Sequence, residues 1–255
     1  MKVFIITGAS RGLGLRIADI LIEQGETVQV ICIARNENPE LIEKAEKKGV
    51  PLNFLKADLA DLGELDTLMD KAFNLIAKDA VNGIYLINNA GMVEPIAPLE
   101  KCRYEDIKRN IDINLSAPLI LSSAFIRHTR DMKAEKRVVT VTSGASKRAI
   151  YGWSAYCSAK AGVNLFTACA AEEEKDHEHC VGFAAFSPGV MDTDMQVTIR
   201  SSSKENFKPV DDFRGLKEDG KLRPAAVVAD KLLQVLLAKE FPNGEFVDIK
   251  DLMEE

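Results

Sequence analysis

The chain of 255 residues is 46% hydrophobic and 28% charged, enough apolar side chain to bury one large core. Its net charge of −6 and its scattered basic residues argue against a surface built for nucleic acid. No apolar run approaches the length that spans a bilayer, and five cysteines without metal-ligand spacing suit a reducing compartment, so the expected location is the cytosol.

Residues 2–7 form an apolar strand so near the start that no signal peptide is expected before it. Gly8, Gly12 and Gly14 follow, with Leu13, Ile17, Ile20 and Leu21 at helical spacing. A strand, a glycine turn and a helix in this order make a seat for a pyrophosphate: glycine lets the backbone come close, and the helix N-terminus offers free N–H groups. The spacing is G-x-x-x-G-x-G, which differs from the G-x-G-x-x-G dinucleotide fingerprint. Further strands are predicted at 27–33, 52–56, 84–88, 137–142, 181–186 and 245–249, with helical patterns between them. This alternation predicts a single α/β domain, a Rossmann-type doubly wound parallel sheet of seven strands, with ligands bound beyond the carboxyl ends of the strands. Polar motifs gather at that edge: Asp58 past the third strand, Asn88 to Gly91 at the fourth, Ser143 past the fifth, and Pro188 and Gly189 past the sixth.

The fifth strand leads into TSGASKRAIYGWSAYCSAKAG. Tyr156 and Lys160, four apart on a helix, share one face, so the ammonium is expected to lower the pKa of the phenol. Such a phenol can act as general acid to a ketone or general base to an alcohol. Downstream, EEEKDHEHC from Glu172 to Cys180 imitates a metal cluster, but it falls where a long helix ends and is read as a solvated helix end; no metal is expected. Asn114-Leu115-Ser116 matches a glycosylation acceptor, idle in a cytosolic chain. The segment 196–220 holds few apolar residues and is expected to be a long loop that lids the substrate cleft.

TGASRGLG at 7–14, ADL at 57–59, NNAG at 88–91, Asn114 in INLSAP, Ser143, YCSAK at 156–160 and SPGVMDT at 187–193 occur in order. On these motifs the chain resembles the short-chain dehydrogenase/reductase family along essentially its whole length. The resemblance implies hydride transfer from a nicotinamide to a carbonyl carbon, with Tyr156 donating the proton and Ser143 bonding the carbonyl oxygen. Lys160 would hold the nicotinamide ribose and depress the Tyr156 pKa, and Asn114 would support a water that relays protons to Lys160. Cofactor contacts are implied for Ile6, Gly8, Ser10, Arg11, Gly12, Leu13 and Gly14, and for Pro188 and Gly189. Asp58 and Leu59 would border the adenine, Asn89, Ala90 and Gly91 the adenosine ribose, and Val190 and Thr193 the carboxamide.

The second strand ends in Ala34-Arg35 with no acid to hold a ribose 2′-OH, and Arg11 adds a second cation, which favours NADPH. A narrower resemblance, carried by YGWSAYCSAKAG, SPGVMDTDMQ and NGEFVDIKD, is to sepiapterin reductases and bacterial benzil reductases. It implies Asp248 as an anchor for the basic edge of a pterin. Trp153 and Tyr151 stand where an aromatic wall beside a flat substrate would lie, or where core packers would. The expected substrate is a small dicarbonyl, and a homodimer through the helices near 103–131 and 154–175 is expected on the same family grounds. Two readings stand beside it: reduction of another ketone class such as a steroid, sugar or acyl-thioester, and a silent NADP-sensing protein, which would need no proton donor.

Overall fold

A computed structural model describes residues 1–25 and 27–253. In chain order these form β1 (Lys2–Thr7), α1 (Gly12–Glu23), β2 (Val28–Ala34), α2 (Pro39–Lys48), β3 (Leu52–Lys56), α3 (Leu65–Asn74) and β4 (Gly83–Asn88). There follow α4 (Tyr104–Ile111), α5 (Ala117–Thr129), β5 (Glu135–Val141), α6 (Ser154–Glu174) and β6 (Gly182–Ser187). The chain then closes with α7 (Asp194–Arg200), α8 (Val210–Glu218), α9 (Ala225–Leu236) and β7 (Phe246–Asp248). Every predicted strand is present, with ends displaced by at most two residues. The sheet is parallel throughout in the order β3-β2-β1-β4-β5-β6-β7, the doubly wound Rossmann-type arrangement expected from the alternation.

The central strands are mostly apolar because both faces are covered: every position of β2 and β4 is buried, including the polar Gln29 and Asn88. Successive side chains alternate between two cores. Phe4 and Ile6 pack with Leu21 of α1 and Leu232 of α9, whereas Val3 and Ile5 pack with Met69 of α3 and Phe125 of α5. Local chemistry sets helix ends: the Asn38 carboxamide caps α2 by accepting from Leu41 N–H at 2.9 Å, with Pro39 in the first turn. No described helix is long and apolar enough to cross a membrane.

Two expectations need correction. The segment 196–220 is not a structureless loop, since it carries most of α7 and all of α8. Its few apolar side chains suffice because they point one way: Ile199, Phe207 and Val210 are buried in a third cluster with Val93, Trp153 and Tyr156. The run Glu172 to Cys180 does contain the end of α6, but Glu174 is not solvated. It is 4% exposed, accepts two bonds from Arg130 at 2.6 and 3.0 Å and a third from Val181 N–H at 3.1 Å, and so ties α5 and α6 to the start of β6. A buried carboxylate persists when cation and backbone donors replace its water.

Candidate active site

The strand order reverses between β1 and β4, which opens a crevice at their carboxyl ends. The Thr7 hydroxyl closes its floor, accepting from the N–H groups of Asn89 and Ala90, both at 3.0 Å. Asn89 Nδ2 returns bonds to the carbonyls of Thr7 at 2.9 Å and Gly8 at 3.3 Å. The packing is so close that a Cβ on Gly14 would lie 2.5 Å from the Gly8 oxygen and 2.6 Å from Asn89 Nδ2, leaving glycine as the residue that fits. Ile6 and Leu13 serve the core beneath this turn, and the Ser10 carbonyl accepts from Asn38 Nδ2 at 3.2 Å.

The charges around the nucleotide end are unequal in their partners. Arg35 lies exposed past β2 and forms no ion pair among the described residues, whereas Arg11 Nη1 bonds Asp194 Oδ2 at 2.7 Å. Asp58 meets Arg109 at 2.7 Å and accepts from Ala60 N–H at 3.1 Å. Partial burial pushes its pKa up, but these bonds outweigh it and the carboxyl lies below its ordinary range. Leu59 is buried beside it. Past β6, Pro188 and Gly189 lead to Val190, whose carbonyl accepts from Arg223 N–H at 3.0 Å. The Thr193 methyl is 3.8 Å from where a Gly12 Cβ would stand, so the glycine turn and the start of α7 face each other across the crevice.

Ser143 follows β5 and caps a short turn, its hydroxyl accepting from Ala145 N–H at 3.1 Å. A hydrogen-bond chain fastens that turn to α6: Asn164 Nδ2 donates to Ser146 Oγ at 2.8 Å, Ser146 Oγ to the Ser143 carbonyl at 2.6 Å, and Thr142 Oγ1 to Asn164 Oδ1 at 2.8 Å. Tyr156 and Lys160 of α6 are both buried. The expected depression of the phenol pKa by the lysine is not what the fold produces. Burial raises the Tyr156 pKa to about 12, with the Ser143 hydrogen bond pulling the other way. Lys160 Nζ stands 5.9 Å from the phenol ring centroid and donates to the Val141 carbonyl at 2.8 Å. Burial lowers the Lys160 pKa to about 8.

Gly91 lies against both Asn114 Oδ1 and Lys160 Nζ, so the loop after β4 joins the floor of the crevice to α6. Asn114 is fully buried on a π-helical turn, Asp112–Ser116, between α4 and α5. Its carboxamide donates to the Met92 carbonyl at 2.8 Å and the Asn110 carbonyl at 3.0 Å, and accepts from Met92 N–H at 3.2 Å.

Beside Tyr156 lies an aromatic cluster: Trp153 stacks on Phe207 at 4.8 Å and 22°, and meets Tyr156 edge-on at 5.4 Å and 70°. Phe213 closes the cluster at 5.4 Å from Trp153. Gly152 permits this approach: its φ is +87°, and a Cβ would fall 2.3 Å from the Asn206 carbonyl oxygen. The connection between α7 and α8 is further tied by a Lys101–Glu205 ion pair and by Lys208 Nζ, 4.2 Å over the Tyr151 ring. Asp248 ends β7 in register with Ser187, whose hydroxyl donates to it at 3.3 Å.

Sequence reasoning missed Thr7, Arg109, Asn164, Asp194 and Phe207. Asn164 had a signal, since it lies four residues past Lys160 on the same helix face. Asp194 and Phe207 had none, because their partners Arg11 and Trp153 are remote in the chain.

A model of the short chain dehydrogenase family matches residues 2–204. The chain is 46% identical to a benzil reductase ((S)-benzoin forming) of Bacillus cereus over 251 residues, covering 98% of this chain and 100% of the relative. It is 41% identical to the enzyme of the same description in Bacillus subtilis, covering 99% and 100%. A sepiapterin reductase of Bos taurus is 29% identical, covering 97% and 94%. Among solved structures, a short-chain dehydrogenase/reductase from Saccharomyces cerevisiae superposes with a TM-score of 0.84 at 29% identity, covering 97% and 96%. The chain belongs to the short-chain dehydrogenase family and is an oxidoreductase acting on C=O and CH–OH groups.

Proposed function

We propose that the protein reduces one carbonyl of a vicinal dicarbonyl, benzil-like or sepiapterin-like, using NADPH, with Tyr156 as general acid. The observation that carries this reading is the buried set of Ser143, Tyr156 and Lys160 at the end of β5 and the start of α6. A phenol whose pKa burial holds near 12 is protonated at neutral pH, the state a proton donor to a nascent alkoxide requires. The similarity to two benzil reductases over nearly the whole chain supports the dicarbonyl, and the more distant sepiapterin reductases supply the second variant of the same group.

The crevice fits a dinucleotide: the floor at Gly8, Gly12 and Gly14 excludes side chains, and Arg35 lies exposed at its rim. NADPH, when bound, supplies the hydride. Ser10, Leu13 and Ile6 line the turn that would seat the pyrophosphate, with Arg35 and Arg11 at the 2′-phosphate. Asp58 and Leu59 would flank the adenine, Asn89, Ala90 and Gly91 the ribose, and Pro188, Gly189, Val190 and Thr193 the nicotinamide. Ser143 orients the carbonyl oxygen and Tyr156 gives it a proton. Lys160 holds the ribose and, with a water supported by the Asn114 turn, returns a proton to the phenol. Trp153 walls the substrate, Asp248 offers a carboxylate to a pterin edge, and α7 with α8 forms the lid.

The assembly belonging to this reading is a cytoplasmic homodimer through α4, α5 and α6, a region that leaves Leu119 and Leu165 exposed. The test is NADPH oxidation against benzil, small diketones, sepiapterin, steroids, sugars and acyl-thioesters. Vicinal dicarbonyls are expected to give the highest kcat/KM. Faster turnover of an isolated ketone would overturn the substrate assignment, and absence of turnover on the whole panel would favour the silent nucleotide sensor.

A further inference from the structure

The two cations at the nucleotide end differ in one respect that bears on cofactor choice. Arg35 forms no ion pair among the described residues and acts on Asp58 only through its field, while Arg11 is bonded directly to Asp194 at 2.7 Å. Arg11 stands in the glycine turn as the N-cap of α1, and Asp194 is the first residue of α7, directly after Thr193, which approaches Gly12. The pair therefore spans the crevice from its floor to its far rim.

We infer that Asp194 is a specificity-determining residue for the dinucleotide: its carboxylate competes with the ligand's 2′-phosphate for Arg11. The inference rests on the reading of NADPH as cofactor. A guanidinium engaged by one carboxylate must release it, or share it, to pair with a phosphate. In either case a negative charge remains beside the arriving dianion. The side chains of Arg11 and Asp194 are 67% and 68% exposed, so water screens the contact and the competition is mild. An exposed pair of this kind shifts an equilibrium by about fivefold at most, and salt weakens it further. The pyrophosphate is common to NADPH and NADH, so the acid's effect on that group cancels in the ratio of the two affinities. What remains is the 2′-phosphate. Asp194 thus holds the preference for NADPH below what two free arginines would give.

Binding, not turnover, is the direct readout. Dissociation constants for NADPH and NADH, and for the fragments 2′,5′-ADP and 5′-AMP that differ only in the 2′-phosphate, would be measured by calorimetry on the intact protein. Asp194→Asn and Asp194→Ser are each expected to raise the affinity ratio NADPH:NADH about two- to fivefold at low salt, and less at high salt. In an Arg11→Gln background Asp194→Asn should leave that ratio unchanged, because the competitor has nothing left to compete for. An unchanged ratio in the single variants overturns the inference, and so does an equal rise without Arg11. A fall in the ratio also overturns it, since Asp194 would then be helping Arg11 hold the phosphate. If the wild-type protein binds NADPH and NADH equally, it is the NADPH reading that fails; the ratio of the two fragments then decides the role of Asp194 by itself.

Discussion

The two sides of the active-site crevice are held by different kinds of contact. On the nucleotide side the fit is made by backbone and short polar groups, with Thr7 and Asn89 exchanging hydrogen bonds at 2.9–3.0 Å and no room for a Cβ on Gly14. On the side proposed for the substrate it is made by rings: Tyr156 against Trp153, and Trp153 on Phe207 of the segment between α7 and α8. Backbone contacts fix a position to fractions of an ångström and tolerate little change. Aromatic faces keep their area while they slide or swap, which suits a wall that must match one substrate among many. Tyr156 belongs to both sides, by the pull of the Ser143 hydroxyl on its phenol and by its edge contact with Trp153.

Tyr156→Phe separates chemistry from packing at that shared residue. The ring and its contact with Trp153 are kept, and only the transferable proton is lost. Turnover of benzil is expected to fall about 100- to 10,000-fold, the scale of general acid catalysis, while the dissociation constant for NADPH stays within about twofold, since the phenol proton is used only in the chemical step. Stopped-flow turnover and calorimetry check the two halves of the statement, and near-normal turnover would remove Tyr156 from its role.

Phe207→Ala attacks the other side alone. It removes the stacking partner of Trp153 from a fully buried position, a change that costs about 3–5 kcal/mol of stability in well-packed cores. The substrate KM should rise about tenfold with little change in NADPH affinity, as expected when only a substrate-wall contact of ordinary aromatic size is lost. Trp153 is the single tryptophan of the chain, so its emission reports the opening directly. Equal losses of substrate and NADPH affinity would show that the two sides do not act independently.

The same contrast explains what could be read from the sequence. The inner strands were legible because buried parallel strands are apolar runs, the half-buried edge strands β3 and β7 because their short runs fall in the strand–helix alternation, and the glycine turn and the Tyr156–Lys160 pair because each is a local spacing. The segment 196–220 reads as a loop because Ile199, Phe207 and Val210 are too sparse to mark a periodic face, and their partners Trp153 and Val93 come from elsewhere in the chain. The pKa argument failed for a related reason. Helix spacing placed Lys160 near Tyr156, but burial, which no local pattern reveals, moved the phenol upward and the ammonium downward. Arg109 opposite Asp58 and Asp194 opposite Arg11 are likewise products of the fold.

Lys160 turns that burial into a pH dependence. Its pKa falls from 10.5 to about 8 in the folded protein. Below pH 8 the cost of burying the ammonium is fully present. Between 8 and 10.5 the unfolded chain holds a proton that the folded chain has released, so stability rises with pH across this window. Tyr156 acts in the opposite sense above pH 10, where the unfolded phenol ionises first. Lys160→Met removes the first effect, so the wild-type protein should gain on the variant by up to about 1.4 kcal/mol per pH unit from pH 8 towards 10. Urea midpoints at pH 7, 8, 9 and 10 measure it, and a constant difference between the two proteins would show that the ammonium is not buried.

Asp248→Asn is the mildest change and asks whether the substrate side contains a polar anchor at all. Asp248 Oδ1 accepts from Lys250 N–H at 3.0 Å and Oδ2 from the Ser187 hydroxyl at 3.3 Å. Both donors are neutral, and a carboxylate has further lone pairs to offer, so these bonds leave it able to meet a basic ligand edge. Asparagine can still accept from Lys250 and loses only the charge, which keeps the effect on folding small. A hydrogen bond to a charged group contributes about 1.5–3 kcal/mol. Because two donors already draw on this carboxylate, the lower end applies, and the KM for sepiapterin should rise about tenfold. Benzil has no basic edge, so its KM should stay the same. A parallel rise for both compounds would mean that Asp248 shapes the end of β7 and does not hold substrate. No rise for either would leave the substrate side wholly aromatic, with Trp153 and the rings beneath α8 as its only grip.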